Sequence, residues 1–170
     1  MVHDCRDLIR IFDHLFLDRY QTCLVGGAEE PLYLPASHGQ PACILFRSDF
    51  YASALHEVAH WCIAGAARRR LQDYGYWYAP EGRSEERQSE FQSVEVAPQA
   101  LEWIFADAAG YRFHASLDNP GNLTGAHAAF EDALRRERCR RSRVGLPPRA
   151  RLFRQALEQF YSQPPASLCP

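Results

Sequence analysis

Residues 50–66 read FYASALHEVAHWCIAGA. Apart from Ser53, His56, Glu57 and His60, nearly every position is apolar, and the apolar positions cover all faces of a helix rather than one stripe. Such a helix is expected to be buried. Ser48 or Asp49 can cap its start, Gly65 can end it, and Arg68, Arg69 and Arg70 can follow its negative end. Two histidines and a carboxylate inside it would each cost on the order of a few kcal/mol without partners, so something must satisfy them. Residues four apart on a helix differ by about 40° in direction and stack one above the other, so His56 and His60 can aim their rings at one metal ion. Glu57 flanks the same place as a base or as a group supporting a ligand. The ordinary alternative is a pair of core histidines bonded to backbone or water.

Two histidines leave a ligand set incomplete. The next helix offers Glu90, Glu95 and Glu102. Glu95 is preferred, because it sits between Val94 and Val96, where a carboxylate without a task is expensive to bury, whereas Glu90 follows a polar run. Glu102 shares a helical face with Glu95 and Gln99 and stays open as a ligand. With zinc, such a set makes a hydrolytic centre with Glu57 as general base. With iron(II), two histidines and one carboxylate leave positions for dioxygen and substrate. Spacing alone does not separate the two.

Around the central helix, Leu8, Phe12, Leu15 and Phe16 recur at helical spacing and predict an amphipathic helix over residues 4–19. Residues 31–35 and 43–46 read as two short strands around a turn, and residues 74–78 as a third. Over residues 84–109, Phe91, Val94, Pro98, Leu101, Phe105 and Ala108 make an apolar stripe, with a break expected near Ala97 because Pro98 lacks the helical N–H. A loop over residues 116–125 leads to a charged helix over 126–141. A last helix over 151–161 is expected to turn Leu152, Phe153, Ala156, Leu157 and Phe160 inward. The expected fold class is α+β: one domain over residues 1–170, a small sheet packed with several helices and the metal site on a central buried helix.

The chain has 170 residues, 46% of them hydrophobic and 24% charged, a composition that excludes a disordered or fibrous protein. No apolar run approaches the roughly 20 residues of a membrane span. The N-terminal residues interleave Asp4, Arg6, Asp7, Arg10 and Asp13 with apolar positions and do not read as a signal peptide. Six cysteines without a CxxC pair suit a reducing compartment, so a cytoplasmic protein is expected. The net charge of −2 hides a basic stretch from Arg135 to Arg154, which suits a solvated surface, an acidic protein or nucleic acid.

Four segments together resemble the bacterial elongation factor P hydroxylase family: EPLYLPA (30–36), FYASALHEVAHWCIAGAARRRLQDYGYWYAPEGR (50–83), FQSVEVAPQALEWIFADAAGYRF (91–113) and SLDN (116–119). The HExxH pattern is shared with many metallopeptidases; HWCIAG, YGYWY and VExxPQAL carry the specificity. The resemblance implies an oxidoreductase, a monooxygenase that hydroxylates the β-lysylated lysine of translation elongation factor P as a post-translational modification. It also implies a fold related to a metal-dependent bacterial ribonuclease. By motif the metal ligands would be His56, His60 and Glu95, with Glu57 as the catalytic flanking acid. The implied cofactor is non-heme iron (Fe2+), another divalent metal being the alternative, with molecular oxygen as co-substrate.

Tyr74, Tyr76, Trp77 and Tyr78 follow the metal helix, and aromatic faces attract the ammonium groups of a lysylated substrate. Asp73, Glu81 and Asp118 could neutralise its charge. Core packing and ordinary surface acids are the plain alternatives. The family favours an acidic protein partner over nucleic acid for the arginine stretch, and no membrane partner is expected. Two competing classes stay open: a zinc-dependent peptidase or ribonuclease, active without oxygen, and a non-catalytic binding module, in which Glu57→Gln would preserve function.

Overall fold

The computed structural model describes residues 2–72, 85–116 and 124–162, with side chains described from 93 and from 127 onward in the last two stretches. Helix α1 (Cys5–Tyr20) starts where the Asp4 carboxylate accepts the Arg6 N–H at 2.9 Å. Its apolar stripe buries Leu8, Phe12 and Phe16, as their spacing predicts; Leu15 is half-buried. On another face the Asp13 carboxylate accepts the Leu24 N–H at 3.0 Å, tying α1 to the first strand.

That strand, β1 (Thr22–Ala28), is absent from the sequence reading; β2 (Leu32–Leu34) and β3 (Ala42–Arg47) match the two expected ones. The order is β1-β3-β2, with β3 central, parallel to β1 and antiparallel to β2. Thr22, Leu24, Ala42, Ile44 and Phe46 alternate into the core. Two glycines obscure the β1 pattern. Gly27, at φ 83°, serves an irregularity between Val25 and Ala28, and a Cβ on Gly26 would come within 2.8 Å of both Phe46 and the Asp49 carboxylate. The third expected strand, 74–78, lies outside the described residues.

Helix α2 (Tyr51–Ile63) is the buried centre, with Ala54, Leu55, Val58, Ala59, Trp61 and Cys62 all inaccessible or nearly so. Neither expected cap serves it: Phe50 is the N-cap residue and makes no side-chain bond. Ser48 instead prolongs the sheet, exchanging backbone bonds with Gly27 and Ala28, and Asp49 turns its carboxylate over Gly26. At the other end the helix stops at Ala64, just before Gly65. Arg69 donates to the Ala64 carbonyl at 2.5 Å. Arg149, far along the chain, donates to the carbonyls of Trp61 (2.8 Å), Cys62 (3.2 Å) and Ala64 (2.7 Å), and its guanidinium lies 4.6 Å over the Trp61 ring.

Helix α3 (Glu85–Ala109) runs unbroken through Pro98, against the expectation of a break near Ala97. Pro98 leaves the Val94 carbonyl without its helical donor, but Val94 is 39% exposed, so water can replace the donor, and the buried Pro98, Leu101 and Phe105 hold the helix against its neighbours. The exposed Val94 also departs from the inward stripe. The inner face at that level carries Glu95 and Gln99 instead.

Helix α4 (Thr124–Val144) packs Phe130 and Leu134 against Ala100 of α3. Helix α5 (Pro148–Ser162) turns Phe153 and Leu157 inward but leaves Phe160 41% exposed, contrary to expectation; the neighbouring Tyr161 turns in and meets Tyr51, hydroxyl to hydroxyl, at 2.9 Å. Phe12, Phe16, Trp61, Phe105 and Phe153 join these helices to the sheet in one aromatic core, with ring centroids 4.9–6.2 Å apart along the chain of contacts. The α+β class stands.

Candidate metal centre

The polar atoms of α2 and α3 meet between the two helices. His56 and His60, one turn apart, bring their Nε2 atoms to 3.0 Å. From α3, Glu95 places one oxygen 3.5 Å from His56 Nε2 and the other 3.3 Å from His60 Nε2. Ligand atoms about 2.1 Å from a single ion stand roughly 3.0 Å apart at right angles and roughly 3.4 Å apart in a tetrahedron. The two ring nitrogens fall in that span, each has a different Glu95 oxygen at a similar separation, and two imidazoles with one carboxylate form a donor set suited to a divalent transition metal. These three groups could hold such an ion.

The side chains are 24% (His56), 13% (His60) and 10% (Glu95) exposed, so the cluster is shielded yet not sealed. Glu102, equally sheltered, places Oε2 2.9 Å from Nδ1 of His56, on the far edge of that ring. Gln99, 2% exposed, pairs its amide with the backbone of Ser116, donating to the carbonyl at 2.9 Å and accepting from the N–H at 3.0 Å; its Nε2 also lies 3.5 Å from Glu95, at the outer limit of a hydrogen bond. Glu95, Gln99 and Glu102 thus form a polar stripe at helical spacing on the α3 face that meets α2.

The electrostatics of the cluster's own groups follow from crowding carboxylates around imidazoles. At His56, burial alone disfavours the imidazolium, but the Glu102 hydrogen bond and the charges of Glu102, Glu95 and Glu57 outweigh it and raise its pKa to about 10. At Glu95, burial favours the neutral acid, yet the hydrogen bond and charge of His60, with His56 and Gln99, lower its pKa to about 2. A proton held among the rings does part of what a dication would do. Glu57, half-buried, has its carboxyl pushed up, chiefly by burial and against the pull of both histidines.

The sequence reading places His56, His60 and Glu95 together, and the structure brings them together. Glu57 lies beside them on α2. Glu90 has no described side chain, and Asp73, Tyr74, Tyr76, Trp77, Tyr78, Glu81 and Asp118 fall outside the described residues. Sequence reasoning misses the bond between Glu102 and His56 and the role of Gln99; the polar stripe 95, 99, 102 in the otherwise apolar stretch 94–106 is its available signal. The basic stretch is also corrected in part. Arg141 is buried and paired with Glu137 at 2.9 Å, and Arg149 caps α2, so neither is a solvated docking charge.

An α+β protein whose two central helices bring two histidines and a glutamate to one point is the class that fold and site define. Within it, residues 11–169 match the model of the elongation factor P hydroxylase family, and the chain belongs to that family. It is 51% identical over 163 residues to the elongation factor P lysine hydroxylase of Haemophilus influenzae, an alignment covering 95% of this chain and 92% of that protein.

Proposed function

We propose that this protein hydroxylates the β-lysylated lysine of elongation factor P, with molecular oxygen as co-substrate and a non-heme ferrous ion held by His56, His60 and Glu95. The observation that carries the reading is the convergence of those three side chains in a chain that is 51% identical over 163 residues to a protein named an elongation factor P lysine hydroxylase. When bound, the ion supplies the activation of dioxygen that an unactivated C–H bond requires.

The remaining work falls to the chain. Helices α2 and α3 set three ligand atoms before the ion arrives, so little reorganisation accompanies binding. Their apolar flanks, with Ala59 and Leu101 buried around the cluster helices, keep bulk water from the reacting carbon. Glu57, with its raised proton affinity, holds or passes a proton at its carboxyl oxygens during turnover. Asp73, Tyr76, Trp77, Tyr78 and Asp118 engage the substrate's ammonium groups through charge and aromatic faces. Arg135, Arg136, Arg140 and Arg143, exposed on α4, steer an acidic elongation factor toward the site; changing all four to Ser lowers the association rate at low salt, and an unchanged rate refutes that role. A cytoplasmic setting follows from the substrate, and no helix among the described residues is long and apolar enough to cross a membrane.

The test loads the protein with ferrous ion without air, adds β-lysylated elongation factor P and then air, and weighs the factor by mass spectrometry. Gain of one oxygen atom is expected, with none when air is withheld. Hydrolytic activity that persists with zinc and without oxygen overturns the reading and installs Glu57 as the base of a hydrolase.

A further inference from the structure

We propose that Glu102 is a positioning residue: by accepting the Nδ1–H of His56 it sets the ring so that, in the neutral form that binds a metal, Nε2 is the nitrogen with the lone pair, facing Glu95 and His60. This deepens the metal-site reading and rests on it. Glu102 is 8% exposed, and a carboxylate so placed costs on the order of several kcal/mol unless its oxygens are bonded. The bonded ring atom, 2.9 Å away, is His56 Nδ1. The three atoms that converge are His56 Nε2, His60 Nε2 and the Glu95 carboxylate. Nδ1 and Nε2 lie on different edges of one imidazole, so the carboxylate that takes the Nδ1–H does not share the ion through that ring; it acts on the ion only through His56.

Two consequences follow from this geometry. A neutral imidazole has one proton for two nitrogens, and a carboxylate at Nδ1 holds it there, leaving Nε2 as the donor atom. Negative charge behind the ring also makes Nε2 a stronger ligand. Without Glu102, the proton can move to Nε2 and block the ligand position, and the ring loses the contact that sets its rotation. Because Glu102 comes from α3, which also carries Glu95, packing of this single helix against α2 both supplies a ligand and orients another.

The test is an anaerobic cobalt(II) titration, with cobalt alone as the probe, followed by visible absorption, on the wild type, Glu102→Leu, Glu102→Gln and His60→Ala. Leucine keeps bulk and removes the acceptor; glutamine keeps an acceptor and removes the charge. The expected result is weaker cobalt binding by about 10–100-fold for Glu102→Leu, with a shifted absorption band, and a smaller loss for Glu102→Gln. Thermal unfolding followed by circular dichroism establishes that each variant is folded. Unchanged affinity and spectrum in folded Glu102→Leu overturn the proposal; if that variant does not fold, wild-type affinity in Glu102→Gln overturns it. Complete loss of binding in both folded variants, equal to His60→Ala, makes Glu102 a ligand and also overturns it. Failure of the wild type to bind cobalt, or full binding by His60→Ala, is a failure of the metal-site reading itself and removes the positioning role with it.

Discussion

Helix α2 has two buried sides that obey different rules. Toward α1 it presents Trp61, whose ring lies 5.1 Å from Phe12 and 4.9 Å from Phe16, with Leu55 and Val58 fully buried in the same core. Toward α3 it presents His56 and His60 to Glu95 and Glu102. The first side is held by many small, interchangeable contacts, each favourable alone. The second consists of groups that are costly alone and tolerable only as a set. A protein selected for stability alone would fill both sides with apolar residues, so the polar side is the part of α2 that the proposed metal site has to explain.

The largest expected effect tests that division from the polar side. His60→Ala or Glu95→Ala should abolish metal retention and hydroxylation while leaving the circular dichroism spectrum intact. Glu57→Gln should keep the metal, measured by elemental analysis, and lower turnover by about 10²–10⁴-fold. Retention of metal by His60→Ala would place the ion elsewhere. From the apolar side, Phe12→Ala should cost about 3–5 kcal/mol in urea unfolding with no change in metal affinity per folded molecule. A shift in affinity as large as that of a ligand variant would show that the two sides are not separable.

Arg149 sharpens the contrast, because it joins the end of α2 to α5 with polar bonds yet lies apart from the ligand set. Arg149→Met should cost about 1.5–3 kcal/mol, the range for hydrogen bonds to a charged group, again without loss of metal. The smallest effect near neutral pH is that of proton linkage in the metal-free protein. His56 rises from 6.5 unfolded to about 10 folded, so its contribution is full below pH 6.5 and is lost as pH rises through about 10. Glu95 falls from 4.5 to about 2, so its contribution is full above pH 4.5 and is lost as pH falls through about 2. Urea unfolding with chelator should therefore be most favourable to the fold between about pH 4.5 and 6.5, and Glu95→Gln should remove the acid slope assigned to that residue.

Much of this was readable from local pattern. The apolar stripe of α1, the all-round apolarity of α2 and the four-residue step between His56 and His60 are properties of one helix, and a helix's geometry is the same wherever it lies. Burial cost likewise singled out Glu95 over Glu90. The misreadings occurred where a second element intervened. Val94 and Phe160 have the right spacing for burial but face away from the neighbours that α3 and α5 meet. Pro98 should interrupt a free helix, yet the buried residues around it, among them Gln99, Leu101 and Phe105, hold α3 against its neighbours. Strand β1 has no clear strand pattern in the sequence because its pair of glycines answers to an irregular pairing with β3 and to the Phe46 ring.

Amino-acid order alone was enough to establish a buried helix bearing a two-histidine step, because helical periodicity and the cost of hiding polar groups operate within one short segment. Only the folded chain decided that Glu102 would back His56, that Gln99 would clasp Ser116 and that Arg149, taken from a stretch that reads as free basic surface, would close the end of α2. Those contacts depend on how α3 and α5 lie against α2, and the angle and rotation between helices are fixed by the packing of the whole core.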